Sequence, residues 1–308
     1  MTLDRRTFIG SALAGGAMVG LTGCVPIDTS PVGRLAATLR IIEADAGGTL
    51  GVELRDVASG QPIGLNRDMR FGHCSSFKLS LAAMVLHRHG RIDDYERLVR
   101  VREEDVISHS PFVSEEVGNE VNLLELAEAV QRFSDNGAAN ILLREIGGPE
   151  ALTAFWREIG DSVSRLDRFE LGLNNVPSGE VRDTSTPRAM AETVAKLVYG
   201  PALGVEDRAL LRHWMIDTRT GMRRVRAGLP VDWQAGDKTG TSLWPGMGSL
   251  YVDIGFVEPQ GQGPLTFATY YRARETHSAV EPEAERVLAR VGGVLARYAR
   301  TLATSPGG

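Results

Sequence analysis

Residues 74–89 read CSSFKLSLAAMVLHRH, a segment in which a short polar opening leads into a long apolar run. From Phe77 to His89 almost every residue is apolar, which predicts a buried helix. A spacing of three places Ser75 and Lys78 on one face at the helix start, where free N–H groups can stabilise an oxyanion. A desolvated lysine can take the proton of such a serine. On its own, however, the pattern more often marks an N-cap serine beside a solvated lysine.

The periodicity changes on either side of this helix. Residues 49–57 alternate like a strand, as do 249–257 and 264–271, whereas the signals between 91 and 225 are helical. A long helix over 282–302 closes the chain. Strands at both ends with helices between them predict an α/β (α+β) fold, in which a sheet is completed by both termini and an all-helical domain is inserted. The active site is then expected in the cleft between the two parts.

The predicted boundaries follow from these changes. An α/β domain is expected over 34–68 and 222–308, and the all-helical domain over 69–221. Inside the helical part, residues 167–187 have no sustained apolar period, which predicts a long surface loop. Loops of that length within a compact domain are usually functional.

Two further short motifs follow along the chain. Ser134-Asp135-Asn136 precedes a helix and, taken alone, is an ordinary capping sequence. Lys238-Thr239-Gly240-Thr241 starts as a strand, where Gly240 lets a ligand approach the backbone closely. Only three of the 34 basic residues are lysines, namely Lys78, Lys196 and Lys238. Since arginine is the general surface cation here, lysine is expected where a guanidinium would not work.

Together and in this order, the three motifs match the set S-x-x-K, S-D-N and K-T-G of class A β-lactamases and penicillin-binding proteins. The chain resembles class A β-lactamases over nearly its whole mature length. Residues 165–183 look like that family's omega loop, which distinguishes it from penicillin-binding transpeptidases because those enzymes lack the loop. The resemblance implies an antiparallel sheet flanked by helices. It also implies hydrolysis of the amide bond of β-lactam antibiotics through an acyl-enzyme, with no cofactor.

The resemblance assigns the catalytic roles residue by residue. Ser75 attacks, Lys78 and Glu170 manage its proton, and Ser134 passes a proton to the leaving nitrogen. Glu170 then activates the water that deacylates the enzyme, since a carboxylate beside that water is a suitable base. The remaining assignments are the backbone N–H groups of Ser75 and Thr241 as the oxyanion hole, Asn174 as the holder of the water, and Arg168 with Asp183 as the ion pair that pins the loop.

The resemblance also assigns the substrate contacts. Asn136 contacts the acylamide side chain, while Lys238, Thr239, Gly240 and Thr241 line the place of the substrate carboxylate. Many members carry an extra cation for this carboxylate on the strand after K-T-G, but residues 242–252 contain no arginine. Arg224 is expected to supply it, with Arg226 as the competing candidate.

Three positions depart from the family pattern. His109 stands where the family often has an aromatic gate, so it is counted among the substrate-binding residues with its part in selection left open. Some carbapenem-hydrolysing relatives bridge the cysteine beside the nucleophile to one after K-T-G-T. Here that second position is Ser242, so Cys74 cannot form this bridge. Gly172 replaces a more usual acidic residue, and nothing about activity follows from it.

Composition excludes other classes of function. A net charge of −5 and a pI near 5.8 argue against nucleic-acid binding, which needs a concentrated basic field. His87 and His89 are two apart and point to different helix faces, so they are not expected to form a zinc site. The expected partner is a β-lactam small molecule, with no metal and no cofactor, and the expected state is a monomer.

The first residues resemble an export signal. Paired Arg5 and Arg6 precede a small, apolar run, as in a twin-arginine signal, and this run is too short to span a membrane. Residues 21–24, Leu-Thr-Gly-Cys, resemble the lipobox of bacterial lipoproteins. The prediction is a signal peptide over 1–23, a lipid-bearing Cys24, a tether over 24–33, and a periplasmic or membrane-anchored cell-surface location. The alternative is a plain secretory signal with an incidental cysteine.

Two other functions remain possible from the sequence. A penicillin-binding D,D-peptidase shares the three motifs, but its acyl-enzyme persists, and Glu170 with Asn174 argues against it. A lipoprotein that keeps the fold only to bind cell-wall peptides is the non-enzymatic alternative.

Overall fold

The computed structural model describes residues 28–88 and 97–304. Its helices are α1 (Pro31–Ala46), α2 (Phe77–Arg88), α3 (Pro111–Glu115), α4 (Leu123–Arg132), α5 (Asn136–Ile146), α6 (Gly148–Glu158), α7 (Pro187–Val198), α8 (Val205–Asp217) and α9 (Pro282–Thr304). Its strands are β1 (Thr49–Asp56), β2 (Pro62–Leu65), β3 (Phe71–Gly72), β4 (Leu98–Arg100), β5 (Glu120–Asn122), β6 (Thr184–Ser185), β7 (Gln234–Ser242), β8 (Leu250–Glu258) and β9 (Leu265–Arg272).

The main sheet has five strands in the order β2-β1-β9-β8-β7, and every neighbouring pair is antiparallel. The N-terminal strand β1 pairs with the C-terminal strand β9 from Thr49↔Arg272 to Asp56↔Leu265. The prediction of a sheet completed by both termini is therefore confirmed. Strand β7, which contains the K-T-G motif, lies at the edge of this sheet and faces the helical part.

Helices cover both faces of the sheet. On one face, α1 and α9 close a core that includes Leu39, Val52 and Leu295. On the other face, α7 and α8 join the sheet to the inserted helices, and this larger core includes Ile254 and Leu126. At the centre of the insertion lies α2, in which all ten residues from 77 to 86 are buried. An apolar run with no polar face can only be accommodated in this way, as the sequence predicted.

The structure adds short strands that the sequence analysis did not predict. β4 pairs with β5, and β3 pairs with β6, each over two or three residues within an otherwise helical insertion. Segments this short cannot display the alternation by which a strand is recognised. Strand β7 also begins at Gln234, four residues before the K-T-G motif. The exact domain boundaries predicted above remain a prediction.

The small pair of β3 and β6 fixes the segment that leads to Ser75. Directly after β3, the backbone N–H of His73 donates to Asp183 O at 2.9 Å. The His73 ring is buried and stacks on Trp156, with ring centroids 5.0 Å apart and planes 10° apart. Trp156 in turn donates from Nε1 to Ser80 Oγ on α2 at 2.9 Å. This stack joins the segment before Ser75 to α6 and α2.

Within residues 28–88 and 97–304, no helix is long and apolar enough to cross a membrane. The same residues contain no group of three or more histidine, cysteine or acidic side chains placed to hold a metal ion.

We expect His73 to make the fold sensitive to mild acid. Burial lowers the pKa of His73 from its ordinary 6.5 to about 4, so unfolding takes up a proton between these pH values. The destabilisation is absent above pH 6.5 and grows as the pH falls toward 4. His73→Phe keeps an aromatic ring against Trp156, and should reduce the loss of unfolding free energy between pH 7 and pH 5 by about 2 kcal/mol.

Urea unfolding at both pH values measures this difference. His213→Phe, which changes an exposed histidine of α8, is the control and should lose as much stability on acidification as the wild type does. A His73→Phe protein that loses as much stability as the wild type on acidification would contradict the assignment.

Candidate active site

Ser75 lies in a short 3₁₀ turn, Cys74–Ser76, directly before α2. The turn begins with Cys74 at a φ of +47°, a left-handed conformation that is costly for a residue with a side chain. In this turn Ser75 Oγ lies 3.1 Å from Lys78 Nζ. The spacing of three residues therefore brings the hydroxyl and the amine into contact, as the sequence predicted.

Lys78 is fully buried and is surrounded by oxygen atoms. Its Nζ donates to Ser75 Oγ at 3.1 Å, to Ser134 O at 2.9 Å and to Asn136 Oδ1, and it lies 3.1 Å from Glu170 Oε1. Burial lowers the pKa of Lys78, while the neighbouring Glu170 carboxylate acts in the opposite direction. An amine that gives up its proton more readily can serve as a base for the serine hydroxyl.

Ser134 and Asn136 are held in place by the aspartate between them. Asp135 is buried, and its Oδ1 accepts the N–H of Ala138 at 2.8 Å, which caps α5. Its Oδ2 accepts the N–H groups of Phe112 and Val113 at the start of α3. One carboxylate therefore anchors the starts of α3 and α5. The hydrogen bonds that cap α5 also fix Ser134 and Asn136, the residues on either side of Asp135.

Lys238 lies on the edge strand β7, and its side chain reaches Ser134 from the side of the sheet. Its buried Nζ donates to Ser134 Oγ at 2.9 Å and to Thr239 O at 2.8 Å. Burial, together with the positive charge of Lys78, lowers the pKa of Lys238 well below its usual range. By contrast, Lys196 lies away from the site and donates to Gly160 O at 2.8 Å.

Gly240 allows β7 to approach the turn that contains Ser75. A Cβ at this position would lie 2.8 Å from Cys74 Cβ and 2.9 Å from both His73 O and Ser75 N. Any side chain would push the strand and the turn apart, so glycine is required by this close contact. Beside it, Thr239 Oγ1 donates to Thr220 Oγ1 at 2.7 Å.

The carboxylate of Glu170 is held from both of its sides. Its Oε2 accepts Asn174 Nδ2 at 2.8 Å, and its Oε1 faces Lys78. Asn140 on α5 accepts the Glu170 backbone N–H and donates to the Glu170 carbonyl, each at 2.9 Å. The peptide bond between Glu170 and Leu171 is cis. A buried carboxylate, an amide and an amine therefore meet beside the serine hydroxyl.

Arg168 and Asp183 form the predicted contact between the two ends of the loop. Arg168 Nε donates to Asp183 Oδ2 at 2.5 Å. Asp183 is buried, and its Oδ1 also accepts the N–H groups of Asp167 and Arg168 at 2.7 and 2.9 Å. Removing one partner of a buried ion pair costs more folding free energy than removing one partner of an exposed pair, because the remaining charge stays desolvated.

The two candidate arginines point to different surroundings. Arg224 donates to Thr241 Oγ1 at 2.7 Å and to Gly240 O at 2.8 Å, and it pairs with Glu285 on α9. Arg226 instead pairs with Asp237 and donates to the carbonyl groups of Met215 and Ile216. Only Arg224 therefore contacts the Lys238–Thr241 segment at its threonine and glycine.

The positions that depart from the family pattern surround this centre. His109 is exposed at a φ of +60°, and its Nε2 lies 2.9 Å from Phe133 O, next to Ser134. Cys74 is buried, which raises the pKa of its thiol to about 12. Gly172 lies exposed in a 3₁₀ turn, where an added Cβ would meet nothing within 4 Å.

The structure brings together most of the residues that the sequence singled out, and it adds four that were missed. Cys24 lies outside the described residues, as does His89, while His87 lies 2.7 Å from Ala202 O and 3.0 Å from Glu158 Oε1. A signal existed for Asn140, which is four residues after Asn136 on the same helix face. The four are Asp135, which was named only as part of a capping sequence, together with Asn140, Thr220 and Glu285.

Comparison with known proteins places this geometry in a family. The model of the Beta-lactamase enzyme family matches residues 34–299. The carbapenem-hydrolysing β-lactamase KPC of Klebsiella oxytoca is 40% identical over 281 residues, covering 89% of this chain and 90% of that protein. β-Lactamase CTX-M-8 of Citrobacter amalonaticus is 39% identical over 238 residues, with 77% and 80% covered.

Solved structures agree in fold as well as in sequence. An ancestral class A β-lactamase (GNCA) superposes with a TM-score of 0.81 at 41% identity, covering 86% of this chain and 99% of the other. A β-lactamase from Xanthomonas campestris pv. campestris gives 0.81 at 38% identity, with 88% and 99% covered. The chain therefore belongs to the class A serine β-lactamases.

Proposed function

We propose that this β-lactamase opens its substrate through an acyl-enzyme on Ser75 and releases the product with a water activated by Glu170. The observation that supports this most directly is the position of Lys78, whose Nζ lies 3.1 Å from both Ser75 Oγ and Glu170 Oε1. One amine in contact with the nucleophile and with a carboxylate can connect the two halves of the cycle.

In acylation, Ser75 Oγ attacks the β-lactam carbonyl carbon and its proton passes to Lys78 or Glu170. The carbon–nitrogen bond then breaks, and the leaving nitrogen takes a proton from Ser134, which is replaced by the proton that left Ser75. The contact between Lys238 Nζ and Ser134 Oγ supports this role, since it fixes the hydroxyl of a residue whose backbone carbonyl also accepts a hydrogen bond from Lys78. The backbone N–H groups of Ser75 and Thr241 stabilise the oxyanion, and the close approach at Gly240 brings these two segments together.

In deacylation, Glu170 takes a proton from a water whose oxygen attacks the ester carbonyl. The bond between this carbonyl carbon and Ser75 Oγ breaks, and the proton passes from Glu170 to Ser75 Oγ. Asn174, which donates to Glu170 Oε2, orients the carboxylate and holds this water. The pairing of Glu170 with Asn174 also argues against a D,D-peptidase, because that enzyme would retain its acyl group. A non-catalytic peptide-binding lipoprotein would have no need for the buried lysine and carboxylate.

The substrate carboxylate is proposed to lie against Lys238, Thr239 and Thr241, with Arg224 behind them. The hydrogen bond from Arg224 to Thr241 Oγ1 favours Arg224 over Arg226, because Arg226 is engaged with Asp237. Asn136 and His109 would then border the acylamide side chain.

We also propose that the protein is exported and anchored by a lipid on Cys24. The twin-arginine pattern and the Leu-Thr-Gly-Cys sequence at residues 21–24 support this proposal. The predicted tether is shorter at its end, because α1 begins at Pro31, and it would allow a monomeric enzyme to act close to the membrane surface. An exported monomer without the anchor is the alternative.

Ser75→Ala and Glu170→Gln separate the two halves of the cycle. After addition of benzylpenicillin, intact-mass measurement should show no adduct on Ser75→Ala, because the nucleophile is absent. Glu170→Gln should show a long-lived adduct, because general-base loss slows deacylation by about 10² to 10⁴.

The wild type, which should turn over nitrocefin rapidly with no lasting adduct, is the control. A stoichiometric burst in the wild type would indicate a D,D-peptidase, and no reaction would indicate a binding protein. Wild-type turnover by Glu170→Gln would remove Glu170 from the deacylation step.

Arg224→Ala should raise KM with little change in kcat, because it removes ground-state binding of the carboxylate. Arg223→Ala is a matched control, since exposed Arg223 also pairs with Glu285 but does not contact Thr241. Steady-state kinetics on benzylpenicillin check both variants. If Arg224→Ala behaves like Arg223→Ala while Arg226→Ala raises KM, the role belongs to Arg226.

Cys24→Ser should release the protein from the membrane fraction of the cells that express it. Fractionation followed by a nitrocefin assay of each fraction measures the distribution, and the wild type should remain with the membrane. Equal amounts of both proteins in the soluble periplasmic fraction would exclude the lipid anchor.

A further inference from the structure

Three consecutive backbone carbonyl groups of the omega loop each accept a side-chain donor from a different place. Asn174 O accepts Ser242 Oγ at 3.0 Å, from the end of β7. Asn175 O accepts Arg168 Nη2 at 2.9 Å, from the start of the loop itself. Val176 O accepts Arg272 Nη1 at 3.1 Å, from the last residue of β9. These three bonds, which we call the carbonyl clamp, tie the segment 174–176 to the sheet and to the rest of the loop.

Arg272 is the unexpected member of the clamp. It is partly buried, and among the described residues no carboxylate lies within ion-pair distance of its guanidinium group. Burial accordingly lowers its pKa. The sheet brings it here because Arg272 pairs with Leu250, which in turn pairs with Ser242. A desolvated guanidinium whose described hydrogen bond is to a loop carbonyl is well placed to hold that loop.

The residue that Arg272 holds also packs against the segment before the nucleophile. Val176 is buried, and a Cβ added to Gly72 would lie 3.1 Å from Val176 Cγ2. Gly72 ends β3, three residues before Ser75. The segment 174–176 is therefore fixed between β9 and the segment that leads to the nucleophile.

The clamp leads directly to the proposed hydrolytic base. The Val176 N–H donates to Asn174 O at 3.2 Å, so the position of Val176 bears on that of Asn174. Asn174 Nδ2 then donates to Glu170 Oε2 at 2.8 Å. Val176, whose carbonyl accepts the hydrogen bond from Arg272, is thus connected to the Glu170 carboxylate by two hydrogen bonds.

We propose that Arg272 is a positioning residue for deacylation, which fixes Asn174 and Glu170 through Val176 O. This inference rests on the proposed function, since it assumes that Glu170 activates the hydrolytic water. Arg272 makes no contact with Ser75, Lys78 or Ser134, so acylation in which Lys78 takes the serine proton does not depend on it. Small displacements of a reacting group are costly, up to about 10²-fold for 1 Å. Its loss should therefore slow deacylation selectively.

Steady-state kinetics distinguish this role from a general loss of structure. When only deacylation slows, kcat and KM fall by the same factor and kcat/KM stays constant. For Arg272→Met on benzylpenicillin we expect both to fall about tenfold, with kcat/KM unchanged within about twofold, and an acyl-enzyme visible by intact mass at steady state. Arg272→Lys keeps a charged donor and should restore most of kcat.

Arg274→Met is the matched control, because it removes an exposed arginine two residues further along that has no bond to the loop. It should leave kcat and KM as in the wild type. The proposal is overturned if Arg272→Met matches Arg274→Met, if it lowers kcat/KM as much as kcat, or if Arg272→Lys is as impaired as Arg272→Met.

Glu170→Gln, measured in the same assay, keeps the two proposals separate. If Glu170→Gln accumulates the adduct while Arg272→Met does not, only the role of Arg272 fails. If Glu170→Gln turns over without an adduct, the proposed function fails, and the inference about Arg272 fails with it.

Discussion

The site depends on the burial of one amine, that of Lys78, among oxygen atoms from three separate segments. Ser75 belongs to the turn before α2, Ser134 and Asn136 to the segment that leads into α5, and Glu170 to the omega loop. An ammonium group is expensive to desolvate, and removing one partner of a buried pair typically costs about 3 to 5 kcal/mol. The same four contacts therefore stabilise the packing of the three segments, while the burial of the amine lowers its pKa.

The second constraint is steric and comes from the edge of the sheet. Because β7 has a neighbour on one side only, its other side is free to meet the turn that contains Ser75. Gly240 permits that meeting, and the side chains of Lys238 and Arg224 reach the same edge. Fold and site are thus linked: the antiparallel order of the sheet, completed by both termini, leaves the K-T-G strand at the edge that faces the inserted helices.

Sequence reasoning succeeded where the determining interaction is local or periodic. The contact of Ser75 with Lys78 follows from helical spacing, and the buried helix follows from its apolar run. The contacts of Lys78 with Ser134 and Glu170 join residues far apart in sequence, so they could be expected only through the resemblance to a family. Arg224 was preferred to Arg226 without knowledge of their surroundings, since the difference between them lies in the direction of two side chains on one short turn. Arg272 was not noticed at all, because its partner is a backbone carbonyl, which has no sequence signature.

The scarcity of lysine has a practical consequence for handling the enzyme. Lys78 and Lys238 are fully buried, whereas Lys196 lies on α7 with its Nζ accessible beside Gly160. Reagents that acylate amines act on exposed, unprotonated amino groups, so among the side chains they should reach Lys196 in preference to the two in the site. Among the lysines, amine-directed coupling would then attach a dye or a solid support at one position and leave the reacting groups untouched.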